Sequence, residues 1–244
     1  MITKFSSFNI GVEMNGSATT PPPSSSVGDY LKAIWEVGGS GAASTKDIAE
    51  RLSNSSASVS NMFARLREMG LAKYERYQGA SLTEAGREEA LRLLRRHRLI
   101  ETFLLEHLGY SWDEVHQEAE RLEHAVSDAF TERLAEFLGN PDYDPHGDPI
   151  PAADGTLKPD DSFPLAAAAT GQRIRVFRVG PEDAPTLTFL GGSGLVPGRV
   201  LEVKEVRALD GVVTVEDEDG EPHVLGESLA RSIFVRSTSE EDGS

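Results

Sequence analysis

Apolar positions recur at the spacing of an amphipathic helix soon after the start of the chain. In VGDYLKAIWEVG the apolar residues Tyr30, Leu31, Ile34 and Trp35 repeat at intervals of one and three, and glycines follow. This spacing places them on one face of a helix, and glycine ends helices because it adopts the left-handed cap conformation. Residues 1–26 have no usable period and end in TTPPPSSS, so they predict a disordered arm.

Two short helices and two short strands are predicted next. STKDIAERL begins with residues that can cap a helix through Leu52, SNSS forms a turn, and a second helix extends from about Ser56 to Met69 before a glycine. LAKYERY and ASLTEAG predict strands around a Gln78-Gly79 turn. Helix, turn, helix and β-ribbon in this order indicate a winged helix-turn-helix.

A helix-turn-helix places its second helix in the major groove of DNA. Candidate base contacts lie at the start of that helix, and candidate phosphate contacts lie further along it and in the wing. The predicted DNA-binding residues are Ser55, Ala57, Ser58, Asn61, Arg65, Lys73, Arg76 and Gln78. Some winged helices contact only proteins, which is the alternative interpretation of this segment.

The rest of the chain separates into helical and β-rich parts. A long helix is predicted from about Thr83, and SWDEVHQEAERLEHAVSDAFTERLAEFLG contains two more. An apolar stripe in that segment indicates core or a dimer face, and consists of Leu122, Ala125, Val126, Ala129, Phe130 and Leu134. NPDYDPHGDPIPAADGTLKPDD is typical of a linker. RIRVFRV, RVLEVKEV, GVVTVED and SIFVR then predict a small β-barrel.

Charge is distributed unevenly along the chain. The 244 residues have a formal net charge of −16, yet residues 27–98 contain 12 Lys and Arg against 9 Asp and Glu, about +3, which favours DNA binding there. The sequence has neither an apolar run of membrane-spanning length nor a secretory signal pattern. We therefore expect a cytoplasmic protein without a membrane partner.

The absence of cysteine restricts the metal chemistry that the chain can perform. A bound metal ion would have to be held by carboxylate, imidazole, and backbone or amide oxygen. Such ligands suit manganese or ferrous iron.

The nonapeptide HQEAERLEH, residues 116–124, concentrates histidine and glutamate. On a helix, His116, Glu120, Glu123 and His124 would fall within a fan of roughly 100°, so their side chains would converge. A solvated helix face is the ordinary interpretation of such a run, and a metal site is the alternative.

Taken together, these motifs resemble the diphtheria toxin repressor family of metal-dependent regulators. RRHRLIE, VHQEAERLEH and HGDPIP carry the resemblance, which covers about residues 27–236. It implies a mainly α fold with a small β-domain: a winged helix-turn-helix at 27–96, a helical metal-binding and dimerisation domain at 97–141, a linker at 142–165, and an SH3-like β-barrel of the ferrous-transport accessory type at 166–236. Residues 1–26 and 237–244 would be a disordered arm and tail.

The resemblance also implies two neighbouring metal sites. One would contain His97, Glu101 and His116, and the other Asp29, Glu120, Glu123 and His124. Asp29 and Glu120 stand where iron-responsive members have Met and Cys, which leaves only oxygen and nitrogen ligands, as in manganese-responsive members. Lys32 stands where those members have a glutamate, which disfavours a two-metal cluster of the manganese type.

Four further residues receive assignments from the same comparison of motifs. Glu182, in the β-domain, is a candidate ligand to the ancillary metal by position. His146 lies in the linker motif and is expected to be a turn residue rather than a ligand. His107 and His223 lack a partner at ligand spacing and are expected at the surface.

The implied function is that of a homodimeric, metal-dependent DNA-binding regulator of metal-uptake and homeostasis genes, with repression expected and activation as the alternative. Its cofactor would be Mn(II), with Fe(II) as the second candidate, and its partner double-stranded operator DNA. Without metal, Asp29, Glu120 and Glu123 are expected to repel one another and to loosen the first helix. Ala57 and Asn61 differ from the Pro and Gln of the iron-responsive readers, so the operator half-site cannot be carried over.

Two other classes of protein remain open at this point. A dimetal oxygen-activating enzyme would need paired Glu-x-x-His motifs on facing helices, whereas only Asp113 and His116 have that spacing here. A metal-binding adaptor with a winged helix that does not bind DNA is the second alternative.

Overall fold

The computed structural model describes residues 25–39, 41–180 and 184–238, and for Ala184 only the backbone. Most of the expected arm at 1–26 and tail at 237–244 lies outside these ranges, but Ser25 and Ser26 are the first residues of a helix and Ser237 ends a strand. Among the described residues, no helix is long and apolar enough to cross a membrane.

The amino-terminal part of the described chain is a winged helix-turn-helix. Its elements are α1 (Ser25–Gly38), α2 (Thr45–Arg51), α3 (Ser56–Glu68), β1 (Ala72–Glu75) and β2 (Gly79–Leu82). Ser44 and Ser55 cap α2 and α3 by accepting hydrogen bonds from backbone N–H groups three residues on, and the cap of α2 is at one of the residues predicted from the sequence. Val59, Phe63 and Leu66 of α3 are buried against α1, which leaves the opposite face of α3 exposed.

The wing differs in detail from the predicted Gln78-Gly79 turn. β1 and β2 pair antiparallel with Glu75 opposite Gly79, so the loop has three residues, and Tyr77 in its centre has φ 71°. Gly79 is itself at φ 88°, and a Cβ there would lie 2.1 Å from the carbonyl oxygen of Ala43. The wing therefore rests directly on the segment before α2, where Ala43 and Ala80 also pair.

Three helices form the middle of the chain: α4 (Glu84–Leu108), α5 (Val115–Leu122) and α6 (Asp128–Phe137). Thr83 caps α4, and Gly109 ends it in the left-handed conformation at φ 72°. The buried face of α4 is long enough to pack against α1 at one end and against α5 and α6 at the other. A single helix thus connects the DNA-binding fold to the helical domain.

The carboxyl-terminal part is built on a six-stranded sheet of order β3-β8-β4-β5-β6-β7. The strands are β3 (Phe163–Pro164), β4 (Arg173–Val179), β5 (Val200–Val206), β6 (Val213–Asp217), β7 (Pro222–Leu225) and β8 (Ile233–Ser237). Helices α7 (Ala184–Gly192) and α8 (Glu227–Ser232), together with β3 and β7, were not predicted from the sequence. Val176, Val203, Val215 and Val235 are among the alternate residues that fill its core.

Candidate metal centre and nucleic-acid interface

The candidate metal ligands come from α1, from α4, from α5 and from the turn that follows α5. His97 and Glu101 are one turn apart on the buried face of α4. The expectation that one helix carries the whole of HQEAERLEH is wrong. Helix α5 ends at Leu122, and the turn that follows it contains Glu123 and His124. Glu123 retains a helical backbone conformation (φ −55°, ψ −31°), so the side chains still converge.

His97 lies at the centre of a buried group of ionisable side chains. Its Nε2 is 2.8 Å from Glu101 Oε1 and 3.1 Å from His116 Nδ1, and its Nδ1 is 2.5 Å from Glu123 Oε2. Burial alone would lower the pKa of His97, but attraction to Glu101 and its hydrogen bonds raise the pKa to about 10. Both ring nitrogens therefore donate to carboxylates in the metal-free protein.

Lys32 extends from α1 into the same group. Its Nζ lies 2.5 Å from Glu120 Oε1 and 3.0 and 3.1 Å from the two carboxylate oxygens of Glu123. Burial would lower the pKa of Lys32, but attraction to Glu123 and Glu120 outweighs it and raises the pKa to about 12. Burial acts in the opposite direction on Glu120 and would raise its pKa. Attraction to Lys32 outweighs burial, so the pKa of Glu120 is lowered.

This arrangement corrects the expectation that unneutralised carboxylates loosen α1 in the absence of metal. Glu120 and Glu123 share the Lys32 ammonium, and Glu123 also accepts from His97. The cationic side chain itself belongs to α1, so these contacts hold α1 against the turn after α5.

A second contact joins α1 to the same turn. His124 Nε2 lies 2.7 Å from Asp29 Oδ1 and 3.4 Å from Glu123 Oε1. Gly28 permits this approach, since a Cβ at that position would lie 3.0 Å from Leu93 and 3.1 Å from the His124 ring. Burial raises the pKa of Asp29, although the hydrogen bond from His124 opposes the increase.

Three triads among the described residues bring ligand atoms within 4.8 Å of one another, and two of them consist of the predicted ligands. These two are His97, His116 and Glu120, and Asp29, Glu123 and His124. The resemblance implies that Glu120 belongs with Asp29, Glu123 and His124, but in the structure its carboxylate lies with His97 and His116. Glu101 remains in contact with both of these histidines. The donors are oxygen and nitrogen, and separations of about 3 Å are those of neighbouring ligands around one small divalent ion. The residues therefore fit a divalent metal.

A third triad adjoins the first and consists of Glu101, Asp144 and His146. All three side chains are buried, and His146 Nδ1 is 3.9 Å from Glu101 Oε2. Asp144 accepts hydrogen bonds at 2.9 Å from the backbone N–H groups of His146 and Asp148, which orders the segment expected to be a linker. His146 is thus a turn residue, as expected, but a buried one beside the centre.

Sequence reasoning did not single out Asp144. The available signal was its place in DPHGDPIP, next to the histidine already considered. His146 Nε2 also donates to the carbonyl of Trp112 at 3.0 Å, while its own carbonyl accepts from Val179 of β4. This segment therefore connects the helical centre to the β-domain.

The structure gives a separate answer for each of the remaining assigned residues, Glu182, His107 and His223. Glu182 lies outside the described residues. His107 is exposed and packs on the rings of Phe103 and Phe137. The assignment of His223 to the surface without a partner is wrong, because it is half-buried and its Nε2 lies 3.4 Å from Asp217 Oδ2.

All eight predicted DNA-binding residues are exposed: Ser55, Ala57, Ser58, Asn61, Arg65, Lys73, Arg76 and Gln78. Two of them already have local hydrogen bonds, since Ser55 Oγ accepts from the Ser58 N–H at 3.2 Å and the two hydroxyls lie 3.0 Å apart. The sequence reasoning missed Tyr77, which is 90 % exposed at the tip of the wing beside Arg76. An aromatic residue within the short loop between two strands was the signal for it.

α1 also contacts the helix-turn-helix directly. Asn54, in the turn before α3, donates to the Tyr30 hydroxyl at 3.2 Å. Arg51 at the end of α2 forms an ion pair of 2.9 Å with Glu36. One helix therefore carries Asp29 and Lys32 in the candidate metal centre and also holds the turn that precedes the DNA-reading helix.

Comparison with known proteins places these features in a family. Three family models match consecutive parts of the chain: the iron dependent repressor N-terminal DNA binding domain at residues 24–80, the iron dependent repressor metal binding and dimerisation domain at 83–152, and the FeoA domain at 163–237. These matches confirm the fold expected from the sequence, with a DNA-binding domain, a helical domain and a β-domain in that order.

Curated relatives extend the similarity over most of the chain. The diphtheria toxin repressor of Corynebacterium diphtheriae is 33% identical over 217 residues, which cover 84% of this chain and 94% of the relative. The iron-dependent repressor IdeR of Mycobacterium leprae is 35% identical over 157 residues, or 64% of this chain and 66% of the relative. Matches to other mycobacterial IdeR proteins span about half of those relatives, 54%.

Solved structures show the same likeness. A manganese-dependent transcriptional repressor in complex with manganese superposes with a TM-score of 0.81 and 40% identity, covering 87% of this chain and all of the other. The manganese regulator SloR gives a TM-score of 0.74 and 35% identity, covering 87% of this chain and 98% of the other. Both of these relatives are named as regulators rather than as enzymes. The chain belongs to the iron-dependent repressor family, to which the diphtheria toxin repressor also belongs.

Proposed function

We propose that this chain is a cytoplasmic, homodimeric repressor that binds operator DNA when Mn(II) or Fe(II) is available, and that it controls genes for metal uptake and homeostasis. One observation carries the proposal: α1 contributes Asp29 to the candidate metal centre and also contacts the turn before α3. The names of the relatives support it, since they include iron-dependent repressors and manganese regulators.

The ligand set supports manganese as an effector at least as strongly as ferrous iron. Asp29 and Glu120 supply carboxylate oxygen where a sulfur donor would favour softer ions. Imidazole from His97, His116 and His124 completes the donors.

The signal is proposed to travel through α1. A bound divalent ion supplies positive charge and coordination bonds at these carboxylates and imidazoles. Asp29, Glu123 and His124 together would then fix α1 against the turn after α5. Because Tyr30 and Glu36 of α1 hold the Asn54 turn and α2, the position of α3 would follow that of α1.

Dimerisation would supply the second DNA-reading helix. Leu122, Phe130 and Phe137 of α5 and α6 are exposed, and they include part of the apolar stripe predicted from the sequence. Leu134 of the same stripe is instead in the core of the chain. A two-fold dimer through the exposed part would present two α3 helices to a palindromic operator, which requires a spacing of one helical turn of DNA.

The proposal is tested by operator binding across a manganese titration. An operator is first selected from random duplexes in the presence of Mn(II), and its binding is then followed by fluorescence anisotropy. Glu123→Ala and His124→Ala should abolish metal-dependent binding, whereas Glu118→Ala, at a position on α5 that pairs with surface Arg121, should not.

Two results would count against the proposal. An unaltered manganese midpoint in both centre variants would indicate that Glu123 and His124 do not bind the effector ion. Manganese binding without any selectable DNA would favour the metal-binding adaptor instead.

A further inference from the structure

The ammonium of Lys32 occupies the space between two carboxylates that face different sets of metal ligands. Glu120 belongs to the triad with His97 and His116, and Glu123 belongs to the triad with Asp29 and His124. Lys32 Nζ contacts both, at 2.5 Å from Glu120 and at 3.0 and 3.1 Å from Glu123. A lysine ammonium has three donors, so these three contacts can use all of them.

Two ions held by these neighbouring triads would share the same carboxylates. Paired divalent ions in proteins typically lie about 3.5–4 Å apart and are bridged by side-chain oxygens. Glu120 and Glu123 are the carboxylates placed to bridge here, and the Lys32 ammonium lies against the oxygens that a bridge would need.

The charges in the centre lead to the same conclusion. Among the residues that the structure describes, four carboxylates converge there, those of Asp29, Glu101, Glu120 and Glu123, against the permanent positive charge of Lys32. With neutral, ligating histidines the net charge is about −3, so one divalent ion would leave about −1, whereas two would make the centre net positive with the Lys32 ammonium directly beside them. Removing the lysine charge would leave about −4, which matches a pair of divalent ions. In a buried site an unmatched charge is strongly unfavourable.

We propose that Lys32 is a built-in cation that holds the bridging position of the centre, so that the two triads cannot hold a carboxylate-bridged pair of metal ions. The inference rests on the proposed function, in which the centre binds a divalent metal. Lys32 then also sets the metal threshold, because an incoming ion meets a fixed positive charge among its ligands. Its contribution is to specificity and affinity, and it need not touch the ion.

The test uses the full-length chain loaded with Mn(II) and its electron paramagnetic resonance spectrum, because neighbouring manganese ions are exchange-coupled and isolated ions are not. Wild type and Lys32→Arg, which keeps the charge, should give the spectrum of isolated Mn(II). Lys32→Glu should give an exchange-coupled pair and bind one additional ion per chain in equilibrium dialysis. Lys46→Met, which removes an exposed lysine of α2, serves as the control and should behave as wild type.

Lys32→Met provides a second measurement if Lys32→Glu does not fold. It removes the charge and keeps a side chain of similar length. The manganese concentration for half-saturation should fall on the order of tenfold or more, because the repulsion between a buried ammonium and the neighbouring metal ion is removed. Removal of Lys46 should leave that concentration unchanged.

The possible outcomes separate this inference from the proposed function. An exchange-coupled pair in wild type, a folded Lys32→Glu with only isolated ions, or a Lys32→Met that binds manganese no more tightly than wild type would each overturn the role of Lys32 alone. Wild type that binds no manganese in dialysis would instead overturn the proposed metal centre, and the inference with it.

Discussion

Replacing Glu123 by glutamine should destabilise the metal-free protein, because the Glu123 carboxylate pairs with two buried cationic side chains, Lys32 and His97. It is fully buried, contacts the Lys32 ammonium through both oxygens and accepts from His97 at 2.5 Å. Glutamine has nearly the same shape but is neutral, so two buried cations would lose part of their compensation. Removing one partner of a buried ion pair typically costs about 3–5 kcal/mol.

We take about 3 kcal/mol as the expected loss, because the amide oxygen can still accept one hydrogen bond and Glu120 and Glu101 remain. For a chain of this size each kcal/mol corresponds to roughly 2–4 °C, so the melting temperature should fall by about 6–12 °C. Manganese should raise the melting temperature of wild type by binding the folded state, and should raise that of the variant far less.

Thermal unfolding followed by circular dichroism, in chelator and in excess Mn(II), measures both effects. Glu118→Gln is the matched control on α5, where the carboxylate pairs with exposed Arg121, and it should change the melting temperature by no more than a degree or so. If Glu123→Gln melted like wild type in chelator and kept the full manganese shift, the electrostatic account of the centre would be refuted.

Four further predictions concern pH, DNA, metal choice and assembly. The pKa of His97 is raised to about 10 in the folded protein. The stability that its protonated form contributes is therefore fully present below about pH 6.5 and is lost as the pH rises towards 10. In denaturant titrations at several pH values, metal-free wild type should lose more stability over that interval than His97→Gln. In anisotropy titrations Arg65→Ala should weaken binding to all duplexes alike and flatten its salt dependence, whereas Asn61→Ala should change sequence preference, and equal effects on selected and random DNA would contradict this division. Asp29→Met with Glu120→Cys should weaken manganese relative to ferrous iron, so an unchanged ratio of the two activating concentrations would exclude ligand softness as the cause. Sedimentation at micromolar concentration should give about twice the 26.4 kDa chain mass, and a monomer would rule out the proposed dimer.

The features predictable from the sequence are those fixed by local chemistry. Ser44 and Thr83 cap helices where the sequence predicts, and Gly109 ends α4, because capping depends on a few neighbouring residues. Helical periodicity places His97 and Glu101 on one face, since positions four apart are neighbours there, but their assignment as ligands came from the family resemblance. The convergence of these ligands with those of α5 depended on a family resemblance that local pattern could not supply.

Features that depend on long-range packing were not accessible in this way. The position of Lys32 Nζ is set by a long flexible side chain and by carboxylates about 90 residues away. Comparison of motifs therefore identified Lys32 in place of a glutamate, but not its contacts with Glu120 and Glu123. The linker motif looked irregular because Pro, Gly and Asp are typical of loops. Its Asp144 is nevertheless buried, since that carboxylate satisfies backbone N–H groups within the loop.

The role of α1 explains why small displacements at the centre can reach the DNA-reading helix. Asp29 and Tyr30 are adjacent residues of one helix, and they contact the turn after α5 and the turn before α3 respectively. Within a helix the backbone hydrogen bonds fix neighbouring residues relative to one another. A shift of Asp29 towards or away from His124 must therefore move Tyr30 and, through its hydroxyl, Asn54. Since Lys32 anchors the same helix to Glu120 and Glu123 without metal, the two states would differ in where α1 is held rather than in whether it is folded.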